Sequence, residues 1–188
     1  MIRLLLLLGV SGAGKTTLVH ELKKIDDRFM YISPFVTRPL RIGETEKVHV
    51  SEKQLLDMNS KGKVIMVNDK FGNMFAVPRK PIDYAFNKGK FPILDWPLDC
   101  SSLFEGIYPN RLCRVYIEPP SLLELKQRLD SDGRDANGYR FKAAVAELEE
   151  LLNGSLEGRY DVRIVNTNNN VKAVAAEVYR FYLSAIIT

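Results

Sequence analysis

The sequence predicts an α/β fold, a parallel five-stranded sheet with helices on both faces. Five short apolar runs, Ile2–Leu8, Met30–Ile32, Phe91–Leu94, Leu112–Ile117 and Val162–Val165, are continuous rather than alternating, which is the pattern of strands buried on both sides. Helical spacing of apolar residues fills most of the gaps between them, and alternation of strand with helix implies a covered parallel sheet. A glycine-rich turn between the first strand and the first helix is the third observation.

Taken in order, Ile2–Leu8 has five leucines after a lone Arg3. The run is too short for a signal peptide, and a glycine-rich turn follows it instead of a small-residue cleavage site. Thr16–Lys24 carries Leu18, Val19 and Leu22 on one helical face. Residues 33–89 break the alternation with prolines, a basic stretch, a short helix signal after Ser51 and strand signals at Val48–Val50 and Val64–Val67. They read as an inserted subdomain. Ser121–Leu129 opens with Pro119-Pro120 and a capping box from Ser121 to Glu124, then places Leu122, Leu125 and Leu129 at helical spacing. Residues 130–138, DSDGRDANG, are polar and glycine-bearing, which suits a mobile flap. Tyr139–Leu152 and Val171–Leu183 are amphipathic helical patterns, the first on Phe141, Val145, Leu148 and Leu152, the second on Val171, Val174, Val178 and Tyr182.

A chain of 188 residues with 46% apolar and 27% charged residues suits one soluble domain with its own core. The net charge of +4 is too small to point to nucleic acid, and no stretch approaches the roughly 20 apolar residues of a membrane span. Cys100 and Cys113 lack metal-ligand spacing and suit core positions in a reducing compartment. A cytoplasmic protein, monomer or homodimer, with small-molecule partners and neither nucleic acid nor membrane is expected.

Gly9-Val10-Ser11-Gly12-Ala13-Gly14-Lys15-Thr16 matches G-x-x-x-x-G-K-[ST] in full, between a strand and an amphipathic helix. The motif makes the fold a P-loop NTPase and the ligand a nucleoside triphosphate. Its glycines let consecutive backbone N–H groups face the phosphates, at the positive end of the following helix. Lys15 bridges the outer phosphates in such a loop, and the Thr16 hydroxyl ligates Mg2+. Gly9, Ser11, Gly12, Ala13, Gly14, Lys15, Thr16 and Thr17 are therefore the candidate ATP contacts. Asp95 ends the run Phe91–Leu94, where an open parallel sheet puts its ligand crevice. A carboxylate there would hold the magnesium hydration shell; the alternative is a helix cap or turn residue.

Beyond the loop the chain resembles the guanylate kinase family over nearly its whole length. Thr37-Arg38-Pro39-Leu40-Arg41-Ile42-Gly43-Glu44 is similar to the family's T-R-x-x-R-x-G-E. Ile117-Glu118-Pro119-Pro120-Ser121, with Leu125 and Arg128-Leu129, resembles its I-x-P-P-S…L…RL. Arg140 to Leu148 follows its R-L-x-x-A-x-x-E-L helix, and Val165-Asn166 with Ala173 resembles its closing V-N-D…A. The resemblance divides the chain into a core (1–32, 90–129 and 139–188), an acceptor-binding subdomain (33–89) and a short lid (130–138). It implies that Arg38 and Arg41 clamp the acceptor's phosphate, that Arg140 and Arg134 reach the transferring phosphoryl group, and that Asn166 lies near the donor base. Positive charge around a group whose oxygens repel the nucleophile is what phosphoryl transfer requires. Against these roles stand a solvated basic loop for Arg38 and Arg41 and an idle loop arginine for Arg134.

The sequence departs from the family where guanine is read. Met66 stands at the glutamate position, Pro34 at the serine position and Pro97, in a gapless alignment, at the aspartate position, with Asn68, Asp69 or Asp99 the alternative acceptors from a shifted position. Lys47 and Phe75 replace two tyrosines that in the family help hold the acceptor phosphate. Three functions follow. The first is ATP- and Mg2+-dependent phosphorylation of a nucleoside monophosphate, with GMP or dGMP the family default. The second is a kinase of a phosphorylated sugar such as ribose 1,5-bisphosphate. The third is a non-catalytic binding module, against which the intact loop argues.

Overall fold

The computed structural model describes residues 1–70, 72–98, 101–131, 133, 135–167 and 170–187, with the backbone alone at 66–68 and 70. The first half of the chain runs β1 (Leu4–Leu8), α1 (Lys15–Ile25), β2 (Phe29–Tyr31), β3 (Phe35–Val36), β4 (Val48–His49), α2 (Glu52–Ser60), β5 (Val64–Lys70) and β6 (Asn73–Pro78). The second half runs α3 (Arg79–Asn87), β7 (Phe91–Asp95), α4 (Ser101–Ile107), β8 (Leu112–Glu118), α5 (Leu122–Ser131), α6 (Tyr139–Leu152), β9 (Val162–Val165) and α7 (Val171–Ile187).

The five apolar runs form one parallel sheet in the order β2-β7-β1-β8-β9. Its central strand has no exposed side chain: Leu4 to Leu8 are all at 0% accessibility, which is why the run reads as continuous leucine. Helices α1 and α7 pack against each other, burying Leu18, Val19 and Leu22 from one and Val174, Ala175, Val178 and Tyr182 from the other. Phe29, Phe91 and Tyr182 meet there with ring centroids 5.1–5.5 Å apart, and the Tyr182 hydroxyl donates to the Arg3 carbonyl at 2.7 Å. Among the described residues no helix is long and apolar enough to cross a membrane.

A second sheet, β4-β3-β6-β5, is mostly antiparallel and carries α2 on its own small core of Leu55, Val64 and Ala76. The helix signal after Ser51 is a full capping box: Ser51 and Gln54 satisfy each other's backbone N–H groups. The second sheet, α2 and α3 all fall within residues 33–89, the expected insertion. Its last part is α3, which packs on β7 and buries Ile82 in the main core. Pro81 sits in the first turn of α3, where a missing N–H breaks no intrahelical bond, so the proline-rich stretch is compatible with a helix. The helix α5 continues to Ser131, so the first two residues of the segment expected as a flap are helical. Cys113 is fully buried, as expected; Cys100 lies outside the described residues.

Because β1 is closed on both faces, Leu6→Ala should lower unfolding stability by about 2–5 kcal/mol. Leu152→Ala, on a side chain 75% exposed, should change it by less than about 0.5 kcal/mol. Urea denaturation of both variants checks this; equal effects would contradict burial of the central strand.

Candidate functional site

The glycine-rich loop is seated on the ends of the strands beside it. Gly9 follows β1 directly at φ 125°, and a Cβ there would collide with the Ile117 carbonyl of β8. Gly14 closes the loop at φ 91°, and its Cβ would run into the Asn166 amide. Neither position accepts another residue without displacing backbone or a buried side chain. Asn166 follows β9; its backbone N–H donates to the Glu118 carbonyl at 2.8 Å and its side-chain amide to the Ala13 carbonyl at 2.7 Å. Arg128, on α5, donates to the carbonyls of Gly12 at 3.3 Å and Asn166 at 3.2 Å. The loop is thus held by two side chains, and both they and the loop line a cleft of about 600 Å3.

Within that cleft Lys15 curls over the loop and donates to the carbonyls of Gly9 and Val10 at 2.6 and 2.9 Å. Thr16, in the first turn of α1, donates from Oγ1 to Asp95 Oδ2 at 3.3 Å. The other Asp95 oxygen accepts from the Tyr31 hydroxyl, which orients the carboxylate; burial and that carboxylate push the Tyr31 phenol far above its usual range. Tyr31 is a contributor that the sequence reading missed. Asp95 is therefore no helix cap: it stands beside Thr16 where the sheet opens.

Across the cleft, Glu44 organises the basic loop between β3 and β4. It receives a two-pronged bond from Arg38 at 2.6 and 2.7 Å, the backbone N–H of Arg41 at 3.1 Å, and the Lys47 ammonium at 3.4 Å. Burial alone would raise the Glu44 carboxyl, but Arg38, the Arg41 N–H and Lys47 outweigh it and hold it at about 2. Neighbouring Glu46 reaches His20 on α1 at 3.0 Å, tying this loop to the helix that follows the phosphate loop. Arg140 enters from α6 and donates to Ser11 Oγ at 3.4 Å. Burial first, and then Arg41 and Arg38, lower the Arg140 pKa; partial burial and Arg38 do the same to Arg41. Crowded guanidiniums of this kind are relieved by a bound anion.

The cleft thus gathers Gly9, Ser11, Gly12, Gly14, Lys15, Thr16, Thr17, Arg38, Arg41, Asp95, Arg140 and Asn166, nearly all of the expected set. Ala13 is fully buried and does not line it. Asn166 lines the cleft beside Thr167 and Val171, and its amide nitrogen also holds the loop through the Ala13 carbonyl. Arg134 lies outside the described residues. Arg128 was overlooked as a site residue, although the Arg128-Leu129 pair had already stood out in the sequence. Pro34, Phe75 and Pro97 also line the cleft, whereas Met66 lies on β5 with its side chain outside the described set. Among the described residues no three His, Cys, Asp or Glu side chains gather to hold a metal. A cation here would take most of its ligands from phosphate and water.

Comparison with known proteins adds family to this geometry. The guanylate kinase family model matches residues 1–182. A guanylate kinase of Carboxydothermus hydrogenoformans is 30% identical over 88% of this chain and 83% of its own. One from Thermosynechococcus vestitus is 29% identical over 95% and 93%. Among solved structures, the guanylate kinase of Anaplasma phagocytophilum aligns with a TM-score of 0.74 at 23% identity, over 97% of this chain and 85% of that one.

The Glu44 cluster predicts a pH signature. A carboxyl held at about 2 rather than its ordinary 4.5 contributes stability that is complete above pH 4.5 and lost as the pH falls through about 2. Glu44→Gln should therefore unfold at lower urea than wild type at pH 7, with the gap narrowing as the pH is lowered across that window. A gap independent of pH would contradict it.

Proposed function

The chain belongs to the guanylate kinase family, and we propose on that premise that it transfers the γ-phosphoryl group of ATP to GMP, giving ADP and GDP. The observation that carries the reading is one cleft holding both an intact phosphate loop and the cluster of Arg38, Arg41 and Arg140. A phosphate chain and a second phosphate are the ligands such a cleft can neutralise. The relatives named above favour neither a phosphorylated sugar nor a non-catalytic binding role.

In the reaction an anionic oxygen of the acceptor phosphate attacks the γ-phosphorus in line. The bond to the β–γ bridging oxygen breaks, and its electron pair leaves on ADP. No general base is needed, because the nucleophile already carries negative charge. Loop N–H groups hold the donor phosphates, and Lys15 exchanges the carbonyls of Gly9 and Val10 for oxygens of the outer phosphates. Arg38 and Arg41 hold the acceptor phosphate, with Glu44 fixing their loop, while Arg140 faces the group in transfer. The Thr16 hydroxyl and the Asp95 carboxylate meet at 3.3 Å in the cleft, oxygen donors that fit a magnesium ion, which Thr16 would ligate and whose hydration shell Asp95 would hold. When bound there, Mg2+ supplies charge neutralisation across the β- and γ-phosphates.

Of the positions expected to read the acceptor base, Pro34 and Pro97 line the cleft and offer shape but no side-chain hydrogen-bond acceptor. A guanine N–H donor left unpaired costs about 1–3 kcal/mol, which weakens discrimination.

Measured as ADP release from ATP and magnesium across a panel of nucleoside monophosphates, GMP should be phosphorylated, with a preference over AMP, CMP and UMP below about a thousandfold. Lack of turnover with every monophosphate would refute the proposed reaction. Arg41→Ala should raise the GMP KM or lower kcat, with the ATP KM little changed. A matching loss of ATP affinity would move Arg41 to the donor side.

A further inference from the structure

Arg140 can act on a transferring phosphoryl group only if the start of α6 is fixed, and that start has no ordinary cap. The N-cap position is Gly138, at φ 69°, with no side chain to meet the open N–H groups of the first turn. A cap side chain would normally accept from the second or third helical residue, here Arg140 and Phe141. Instead Asp135 reaches back from three residues before the cap. Its Oδ1 accepts the Arg140 N–H at 2.8 Å and its Oδ2 accepts the Phe141 N–H at 2.9 Å. The Gly138 N–H donates to the Asp135 carbonyl at 2.9 Å, which closes the turn. One carboxylate thus grips the backbone of the residue whose guanidinium reaches Ser11 of the phosphate loop, 3.4 Å away.

We propose that Asp135 is a positioning residue for phosphoryl transfer: by capping α6 from outside the helix, its carboxylate sets the reach of Arg140 toward the phosphate loop. Geometry and charge act together here. The carboxylate holds the Arg140 backbone, and its negative charge at the helix N-terminus stabilises that turn. The same charge offsets the repulsion that Arg41 and Arg38 exert on the Arg140 guanidinium, whose pKa is lowered chiefly by burial. A cap of only structural value would stabilise α6 without a specific effect on Arg140. A positioning cap loses its kinetic importance once Arg140 is gone.

The inference rests on the proposed transfer from ATP to GMP, and a double-mutant cycle separates the two. Wild type, Asp135→Ala, Arg140→Ala and the double variant are compared by steady-state ADP release, with far-UV circular dichroism and thermal unfolding as controls for the fold. Asp135→Ala should lower kcat by about 10- to 100-fold, the range that a misplaced catalytic group costs, with the GMP KM changed far less. In the Arg140→Ala background the same change should cost no more than about twofold. Asp135→Asn keeps one acceptor oxygen and should recover part of the loss; it replaces Asp135→Ala in the cycle if that variant does not fold. An equal loss with and without Arg140, or an unchanged kcat in Asp135→Ala, would overturn the positioning role. Absence of turnover in wild type would instead overturn the proposed reaction.

Discussion

The site depends on how closely the phosphate loop lies against the strand ends behind it. Gly9 touches the Ile117 carbonyl and Gly14 touches the Asn166 amide, so the loop follows a path that only glycine can take at these two points. Asn166 and Arg128 then engage the Ala13 and Gly12 carbonyls of the loop. With the Gly12 and Ala13 carbonyls engaged in this way, a phosphate would meet backbone donors of the glycine-rich turn at the start of α1. Every other functional side chain is placed relative to that seat. Thr16 follows the loop into the helix, Asp95 ends the neighbouring strand β7, and Arg140 touches Ser11 from α6.

Electrostatics supplies the second half of the design. Lys15, Arg38, Arg41, Lys47, Arg128 and Arg140 line one cleft opposite the carboxylates of Asp95 and Glu147. In this array burial first, and the neighbouring arginines second, lower the pKa values of Arg41 and Arg140. Glu44 keeps part of it together by binding Arg38, Lys47 and the Arg41 backbone at once. The His20–Glu46 contact then joins the acceptor-side loop to the donor-side helix, so the two halves of the cleft are in physical contact at a second place.

Much of the main sheet was legible because burial on both faces leaves an unambiguous trace. Five continuous apolar runs became five parallel strands, and Val162–Val165 kept both its ends. The amphipathic patterns of α1, α5, α6 and α7 were equally clear, since each buries one stripe. What was missed was short or locally disguised. The two-residue strand β3 and the seven-residue helix α4 are too brief for periodicity to register, and Pro81 hid the start of α3. In the site, the phosphate loop and the arginines were visible from residue type and spacing. Tyr31 and Arg128 were not recognised, because their roles come from packing: one donates to Asp95, the other to the Gly12 carbonyl of the loop. That the Asn166 amide also holds the Ala13 carbonyl is likewise a matter of packing that spacing does not show.

The most direct test of this account concerns Lys15, the one side chain of the phosphate loop that carries charge to the transferring group. Lys15→Ala should fold like wild type, since the ammonium contacts loop carbonyls at the cleft and not the core. Its rate of ADP formation from ATP, magnesium and GMP should fall by at least about a hundredfold, the loss expected when a transition-state charge partner is removed. A folded Lys15→Ala protein turning over at the wild-type rate would contradict the assignment of Gly9–Thr16 as the seat of phosphoryl transfer.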